Sequence, residues 1–342
     1  MEKMTIKEIA QICGVGVSTV SRALNDHPDI NPQTKEKIKA VIAQYHFIPN
    51  NSARNLKRTN TRSIAVLIKG MTNPFFNDML DIFERETAKK KYTFVLQRVD
   101  EYEDEIDTAL ELLKEKRLNG LVFLGGNFMQ KEEKLNQISV PFVISSVGIV
   151  EKLGDRLCSS VSVDDYRESY KMTEYLCQAG HRRIAMIAAQ KNDKSIGALR
   201  YRGYLDALST YGIEADPSII KHMDIERDTY SMATGYRMGK ELLEQGHEFT
   251  ALYAIADSLA IGAMRAMIEN GKNVPEDYSV AGFDGLDLGA YYAPSLTTIR
   301  QPVEEIAKES IDLLFKLIRK KSENRQIILE AELLKRESVR TL

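Results

Sequence analysis

The chain has 342 residues, of which 43% are hydrophobic and 28% are charged, with a formal net charge of −2. This length predicts two or three domains. The three cysteines are scattered and odd in number, which argues against a disulfide framework or a metal knuckle. The sequence has no N-terminal apolar leader and no run of 18 apolar residues, so we expect a cytoplasmic protein, and we expect no metal or cofactor.

The first 25 residues predict two short helices separated by a glycine turn. Apolar residues recur at the i, i+3, i+4, i+7 spacing of one helix face, at Ile6, Ile9, Ala10 and Cys13. Thr5 and Glu8 have the spacing of a capping box, and Gly14 suits the left-handed residue that ends a helix. These features predict a first helix from about residue 5 to residue 13.

The sequence of the second helix predicts one apolar face and one polar face. Val20, Ala23 and Leu24 cluster on the side that would pack against the first helix. The polar side spans an arc of about 140° and carries Val17, Ser18, Ser21, Arg22 and Asn25. This arrangement is typical of a helix-turn-helix whose second helix enters the DNA major groove.

A third helix would complete a small helical head. Asn31 and Pro32 offer its N-cap and first residue. Its apolar stripe is formed by Ile38, Val41, Ile42 and Tyr45. Residues 1–62 carry ten basic and five acidic side chains, whereas the remainder carries 37 basic and 44 acidic ones. A basic head on an acidic body favours DNA as the partner of the head, which predicts association with the nucleoid.

From Ser63 the pattern changes to strands that alternate with helices. The predicted strands are 63–68, 92–97, 120–124, 142–145, 158–163, 184–188, 251–256 and 279–283. The predicted helices between them are 74–91, 104–117, 166–179, 196–211, 230–245 and 258–270. Two such α/β units predict two doubly wound parallel sheets, with a small-molecule site in the cleft between them.

Seven motifs along residues 5–302 carry a family resemblance. They are Thr5 to Asn25, Tyr45 to Asn50, Asn73 to Phe76, Gly180 to Ile184, Arg200 to Tyr204, Gly282 to Asp284, and Leu296 to Pro302. On these motifs the chain resembles bacterial transcription regulators of the lac/gal repressor family. The resemblance implies a helix-turn-helix head at 1–49, a hinge helix and linker at 50–62, and a core at 63–342.

The resemblance also implies how the core is divided. The first subdomain would comprise 63–162 plus 293–321, and the second 163–292 plus 322–342. Both would be similar to periplasmic sugar-binding proteins.

The same resemblance implies a dimer whose two heads bind a pseudo-palindromic operator. Val17, Ser18 and Arg22 would read bases, and Arg22 can form a bidentate pair with guanine. The implied phosphate or positioning contacts are Thr5, Ser21, Asn25 and Asn31. The implied hinge contacts are Asn50, Ala53, Leu56 and Lys57, with Leu56 as a wedge in the minor groove. Gly16 departs from the serine that is usual at this helix start.

For the effector, the resemblance implies a site in the cleft. Its residues would be Asn73, Phe75, Phe76, Ser146, Arg200, Tyr230, Asp257 and Asp284. Aromatic faces and charge-assisted hydrogen bonds suit a sugar or sugar derivative. However, Ser146 stands where aspartate is frequent and Ala256 where asparagine is frequent. A nucleobase, a sugar phosphate, a larger or less polar ligand, or a protein co-regulator therefore stays open.

The leading hypothesis is a homodimeric repressor of a carbohydrate-utilisation operon, controlled by a small molecule that changes the angle between the two subdomains. A solute-binding protein without a DNA role is one rival, and the basic head argues against it. An enzyme acting in the cleft is another, and no nucleophile–base or metal constellation in the sequence supports it. The operator, the sign of the response and the choice between dimer and tetramer stay open.

Overall fold

The computed structural model describes residues 5–24, 29–45, 62–100, 102–126, 132–148, 158–224, 227 and 229–342. The chain divides into two compact units, Met1–Thr61 and Arg62–Leu342, here called the head and the core. Within the part that is described, no helix is long and apolar enough to cross a membrane.

In its described residues, the head contains three helices, α1 (Ile6–Cys13), α2 (Val17–Leu24) and α3 (Pro32–Gln44). Both halves of the predicted capping box form, since the Thr5 hydroxyl accepts from the Glu8 amide and the Glu8 carboxylate accepts from the Thr5 amide. The predicted stripes of α1 and α2 meet in a small core that consists of Ile9, Ala10, Cys13, Val20, Ala23 and Ile38. Tyr45, by contrast, is exposed at the end of α3 and adds little to this core.

Two glycines flank the turn between α1 and α2, and they differ in backbone conformation. Gly14 is left-handed with φ of 67° and has open space around it. Gly16 has no such backbone, and its carbonyl accepts the first hydrogen bond of α2 from Val20. A Cβ at Gly16 would lie 3.5 Å from the Ser18 hydroxyl, an ordinary contact.

The same substitution is therefore expected to act in opposite directions at the two positions. Gly14→Ser should destabilise the head by about 1–2 kcal/mol, because an L side chain is strained in the left-handed region. Gly16→Ser should stabilise it by a few tenths of a kcal/mol, because serine can cap α2. Amide hydrogen exchange in α1 and α2 of the full chain measures both effects. Equal effects at the two glycines would contradict this account of the turn.

The core elements follow one another in regular alternation. The first part comprises β1 (Ser63–Lys69), α4 (Phe75–Lys89), β2 (Thr93–Val99), α5 (Glu105–Glu115), β3 (Gly120–Leu124), α6 (Glu132–Leu135), β4 (Phe142–Ser145) and β5 (Ser159–Val163). The middle part comprises α7 (Asp165–Gln178), β6 (Ile184–Ala188), α8 (Ile196–Thr210), a 3₁₀ turn (Pro217–Ile219), β7 (Ile220–His222), α9 (Met232–Glu244), β8 (Ala251–Ala254), α10 (Asp257–Glu269), β9 (Ser279–Asp284) and α11 (Leu288–Tyr291). The last part comprises β10 (Thr297–Arg300), α12 (Val303–Ile318), β11 (Gln326–Leu329) and β12 (Glu332–Leu334).

These strands form two sheets, as predicted, but each has six strands and not the expected five or so. The first has the order β11-β5-β4-β3-β1-β2 and is wholly parallel. The second has the order β12-β10-β9-β8-β6-β7 and is parallel except for β12. We call each sheet with its helices a lobe. The central strands are buried along their whole length, which explains their continuous apolar runs.

The chain passes between the lobes after β5, after β10 and after β11. The strand order therefore differs from the predicted subdomain boundaries in two segments. β10, expected in the first lobe, pairs with β9 in the second, because buried Thr297, Thr298 and Ile299 extend that parallel ladder. β11, expected in the second lobe, pairs with β5 and covers the edge of the first sheet.

Candidate DNA-binding surface and effector site

The outer face of α2 is exposed as predicted. Val20 and Ala23 are buried, whereas Val17 is 41% exposed, and Ser18, Ser21 and Arg22 are exposed too. The helix thus presents short side chains and one guanidinium on a single side. Such a face can enter a major groove without steric obstruction and offers hydrogen-bonding groups to base edges.

Two of the predicted phosphate contacts already have a role in folding. The Thr5 hydroxyl is bonded to Glu8 at the start of α1. The Asn31 carboxamide oxygen accepts from the Gln33 amide, 2.9 Å away, at the start of α3. Both side chains are exposed. The remaining predicted DNA contacts, Asn25, Asn50, Ala53, Leu56 and Lys57, lie outside the described residues, as does nearly all of the predicted hinge segment 50–62.

In the core, the carboxyl ends of the two sheets meet around Asp284. This residue ends β9 in the second lobe and has a φ of 114°. Its carboxylate accepts from the Asn73 amide nitrogen of the first lobe, at 3.0 Å, and from the Gln301 amide nitrogen, at 2.9 Å. The Oδ1 atom of Asn73 also accepts from the Phe75 amide, at 3.1 Å, and this bond holds the turn before α4. The Asp284 carboxylate therefore connects the loop before α4 in the first lobe with the segment after β10 in the second.

Arg200 lies beside this carboxylate in the second lobe. Its Nε is 2.8 Å from Asp165 Oδ1, its Nη1 is 2.6 Å from the Ile255 carbonyl, and Nη1 is 3.6 Å from Asp284 Oδ1. The guanidinium stacks on the Phe283 ring at 3.6 Å. Burial alone would lower the pKa of Arg200, but Asp165 and Asp284 reverse this and raise it. Arg200 therefore stays charged and joins α7, α8 and the ends of β8 and β9.

Burial disfavours the ionised form of the two carboxyl groups beside Arg200. Burial raises the pKa of Asp165 to about 6, against the opposing effect of Arg200. Burial also raises the pKa of Asp284, which Arg200, Asn73 and Gln301 partly counteract. When both groups are ionised, two buried carboxylates share the single guanidinium of Arg200.

The first lobe contributes two aromatic side chains to the candidate site. Phe75 and Phe76 are buried and meet edge to face, with centroids 5.5 Å apart. The Phe76 ring lies against Gly125, where a Cβ would come 3.1 Å from the ring and 2.5 Å from the Lys69 carbonyl. Ser146 follows β4 with a left-handed backbone, and its amide donates to the Val161 carbonyl. These residues lie together at the carboxyl ends of the strands of the first sheet.

Asp257 has a different environment from the other predicted effector residues. It is fully buried, and its carboxylate accepts from the Thr298 hydroxyl at 2.5 Å and from the Leu286 amide at 2.7 Å. Burial holds the pKa of Asp257 well above its ordinary value. One oxygen thus holds the loop after β9 through Leu286, and the other holds β10 through Thr298.

Tyr230 lies before α9 and is half-buried. Its carbonyl accepts from the Ser258 hydroxyl at 2.9 Å, which ties it to α10. Burial and the nearby Asp193 carboxylate raise the pKa of its hydroxyl. Ala256, just before α10, is buried and adds no polar side chain.

Sequence reasoning missed Asp165 and Gln301 as members of this cluster. Asp165 follows Asp164, the N-cap of α7, and a pair of aspartates at a helix start looks like ordinary capping. Gln301 lies inside a motif that was recognised, and its position directly after a buried strand was the available signal. Both contact residues that were predicted, Arg200 and Asp284.

A helix-turn-helix head joined to a two-lobed α/β core defines a class of DNA-binding regulators. Residues 5–50 match the family described as bacterial regulatory proteins of the lacI family, and residues 173–339 match the periplasmic binding protein-like domain. The chain is 41% identical over 338 residues to the HTH-type transcriptional regulator MalR of Clostridium butyricum, covering 98% of this chain and 99% of the relative. It is 29% identical over 342 residues to the repressor PurR of Vibrio atlanticus, covering 99% of each.

Among solved structures, the transcriptional regulator CelR in complex with cellobiose is 26% identical with a TM-score of 0.71. The match covers 98% of this chain and 99% of the CelR chain. The chain belongs to the lacI family of bacterial regulatory proteins. It is accordingly a DNA-binding transcriptional regulator and not an enzyme, which confirms the prediction made from the sequence.

Proposed function

We propose that this protein is a homodimeric repressor of carbohydrate-utilisation genes. Its affinity for the operator is controlled by a neutral sugar that binds in the cleft between the lobes. The observation that carries the proposal is the position of Asp284. Its carboxylate bonds to Asn73 of one lobe and lies beside Arg200 of the other. A ligand that contacts this group is bound by both lobes and can bias their angle.

For the head, we propose that α2 lies in the major groove with Val17, Ser18 and Arg22 at base edges. Thr5, Ser21, Asn25 and Asn31 would contact or position phosphates, and Asn50, Ala53, Leu56 and Lys57 would contact the operator through the hinge. A dimer would place two copies of α2 on half-sites about 34–36 Å apart. The exposure of the face that carries Arg22 supports this proposal.

The charge of the cluster supports a neutral rather than a phosphorylated sugar. Asp165 and Asp284 are buried on either side of Arg200, so the guanidinium is already shared by two carboxylates. A phosphate group carries about −1.5 to −2 charges at pH 7 and would add to this unbalanced negative charge. Hydroxyl groups can donate hydrogen bonds to carboxylates at no such cost. The cellobiose in the related CelR structure agrees in chemical class.

We assign roles in the effector site according to the hydrogen bonds or the apolar surface that each side chain can provide. Asn73, Arg200 and Asp284 would hydrogen-bond to hydroxyls, and Phe75, Phe76 and Tyr230 would face the C–H surface of the sugar. Ser146 lies at the rim of the same strand ends, and Asp257 would hold the loop after β9 in place. A shift in lobe angle that is worth 1–3 kcal/mol would change operator affinity by roughly 5- to 150-fold.

A thermal-shift series on the full chain tests the effector class. Neutral monosaccharides and disaccharides, with ribose and cellobiose among them, are compared with sugar phosphates such as glucose 6-phosphate. At 100 times its Kd, a neutral sugar that binds should raise the core transition by roughly 5–10 °C. A series in which no neutral sugar moves the transition would contradict the proposal, and a shift by sugar phosphates alone would contradict the charge argument.

A further inference from the structure

We propose that Gln301, at the crossover between the lobes, accepts a hydrogen bond from a hydroxyl group of the effector and thereby sets which sugar is bound. This inference rests on the proposed function and adds to it one residue and one direction of hydrogen bonding. Gln301 is 3% exposed and lies between β10 of the second lobe and α12 of the first.

The orientation of the Gln301 carboxamide follows from its partner. Nε2 lies 2.9 Å from Asp284 Oδ1. A carboxylate oxygen accepts hydrogen bonds, so the amide nitrogen must face Asp284 and the amide oxygen must face away from it. The backbone is held as well, since the Gln301 amide donates to the Asp284 carbonyl at 3.2 Å and the Gln301 carbonyl accepts from Val303 at 2.9 Å. The carbonyl end of the side chain therefore has one fixed direction.

That carbonyl end is buried and has no hydrogen-bond partner. The Oε1 atom of Gln301 is one of four such side-chain atoms in the described residues, and Asp165 Oδ2 is another. Both atoms are acceptors, and both belong to side chains that contact the Arg200–Asp284 pair. A buried acceptor without a donor is costly, so the cluster gains most from a ligand that donates hydrogen bonds.

A polyol meets this requirement at the right place. A hydroxyl bonded to Asp284 has neighbouring hydroxyls on adjacent carbons, and one of these can donate to Gln301. Because Gln301 also holds Asp284, and Asp284 holds Asn73, the new bond would act on both lobes and on a crossover between them. A sugar that lacks the donating hydroxyl would leave Oε1 unpartnered and lose affinity.

The test combines one substitution with deoxygenated sugars. The probe is the neutral sugar from the thermal-shift series that stabilises the wild type most, together with its monodeoxy derivatives, with Kd measured by calorimetry. In the wild type, removal of one particular hydroxyl should weaken binding about 10-fold or more. In Gln301→Met, which keeps the size of the side chain but accepts no strong hydrogen bond, the same pair of sugars should bind within about 2-fold of each other.

Two further variants separate specificity from damage to the fold. Gln301→Glu, measured at pH 5 where a carboxyl group beside Asp284 is protonated and can still donate to it, keeps an acceptor at this position and should retain the discrimination between the two sugars, even if overall affinity falls. Gln137→Met, an exposed glutamine of the first lobe, should behave like the wild type. If Gln301→Met unfolds, the Gln301→Glu result decides, and loss of discrimination there would overturn the inference.

The remaining outcomes are distinct for the two proposals. If Gln301→Met discriminates every deoxy sugar as the wild type does, Gln301 does not accept from the effector, and the proposed function is unaffected. If no neutral sugar binds the wild type, both proposals fail together.

Discussion

Replacement of Arg200 by methionine is expected to lower the free energy of unfolding of the core by about 3–5 kcal/mol, the range for breaking a buried ion pair. The side chain is buried, is bonded to Asp165 and the Ile255 carbonyl, and lies 3.6 Å from Asp284. Methionine fills much of the volume but leaves two buried carboxylates without a counter-charge. Denaturant unfolding of the full chain, monitored in the core, measures the change.

The matched control for Arg200 is two residues along the same helix. Arg202 is 72% exposed and pairs with Asp206 across 3.6 Å at the i, i+4 spacing. Exposed helix pairs contribute about 0.3–0.5 kcal/mol, so Arg202→Met should change stability little. Losses of similar size in the two variants would contradict the role assigned to the Arg200 cluster.

The pH dependence gives this prediction a second signature. Burial raises the pKa of Asp165 to about 6, above its ordinary value of 3.8. The folded protein therefore holds this proton more tightly than the unfolded chain does. Its contribution to stability is greatest below about pH 4 and is lost as the pH rises through 6. Without Arg200, the pKa values of Asp165 and Asp284 should rise further, so Arg200→Met should cost less at pH 5 than at pH 8.

Substitution of Arg22 by alanine is expected to weaken operator binding by roughly 5- to 150-fold, the effect of losing a bidentate contact to guanine worth about 1–3 kcal/mol. Arg22 is exposed on the same side of α2 as Ser18 and Ser21, away from buried Val20 and Ala23. The loss should be much larger at the specific site than on non-specific DNA, because non-specific binding loses only the single charge that Arg22 adds to the head. An operator selected with the wild type from random duplexes supplies the test DNA.

Lys7→Ala is the charge-matched control for Arg22→Ala. Lys7 is exposed on α1 and carries the same charge, but it lies outside the polar face of α2. Its removal should weaken specific and non-specific binding by similar factors and reduce the salt dependence. If Arg22→Ala also weakens both by similar factors, Arg22 contacts phosphates and does not read bases.

Patterns among neighbouring residues predicted several helices and strands and their bounds correctly. The capping box of Thr5 and Glu8, the stripes of α1 and α2, and the bounds of β3, β4 and β6 all agree with the structure. In these segments the periodicity of buried residues is set by the element itself. The strands β7 and β12 have only three residues each and were not predicted, because so short a run carries no usable period.

The lobe crossings and the cluster around Arg200 were harder to predict, for a shared reason. β10 and β11 each suit either sheet by composition, and only the position of a neighbouring strand decides between the sheets. Likewise, Asp165 and Gln301 are ordinary polar residues until the fold brings them to Asp284 and Arg200, which lie 17 to 119 positions away in the sequence. Asp257 shows the converse, since the family resemblance implied a contact with the effector, whereas the structure shows its two carboxylate oxygens accepting hydrogen bonds from Thr298 and Leu286.

The central claim is that ligand binding in the core controls DNA binding by the head, and operator affinity measured with and without the sugar tests it most directly. The probe is the neutral sugar that stabilises the wild type most, at saturation, with the selected operator and a scrambled duplex. The account predicts a change of roughly 5- to 150-fold in operator affinity, with an equal change in sugar affinity when operator is bound. An operator affinity that stays the same while the sugar is bound would contradict it.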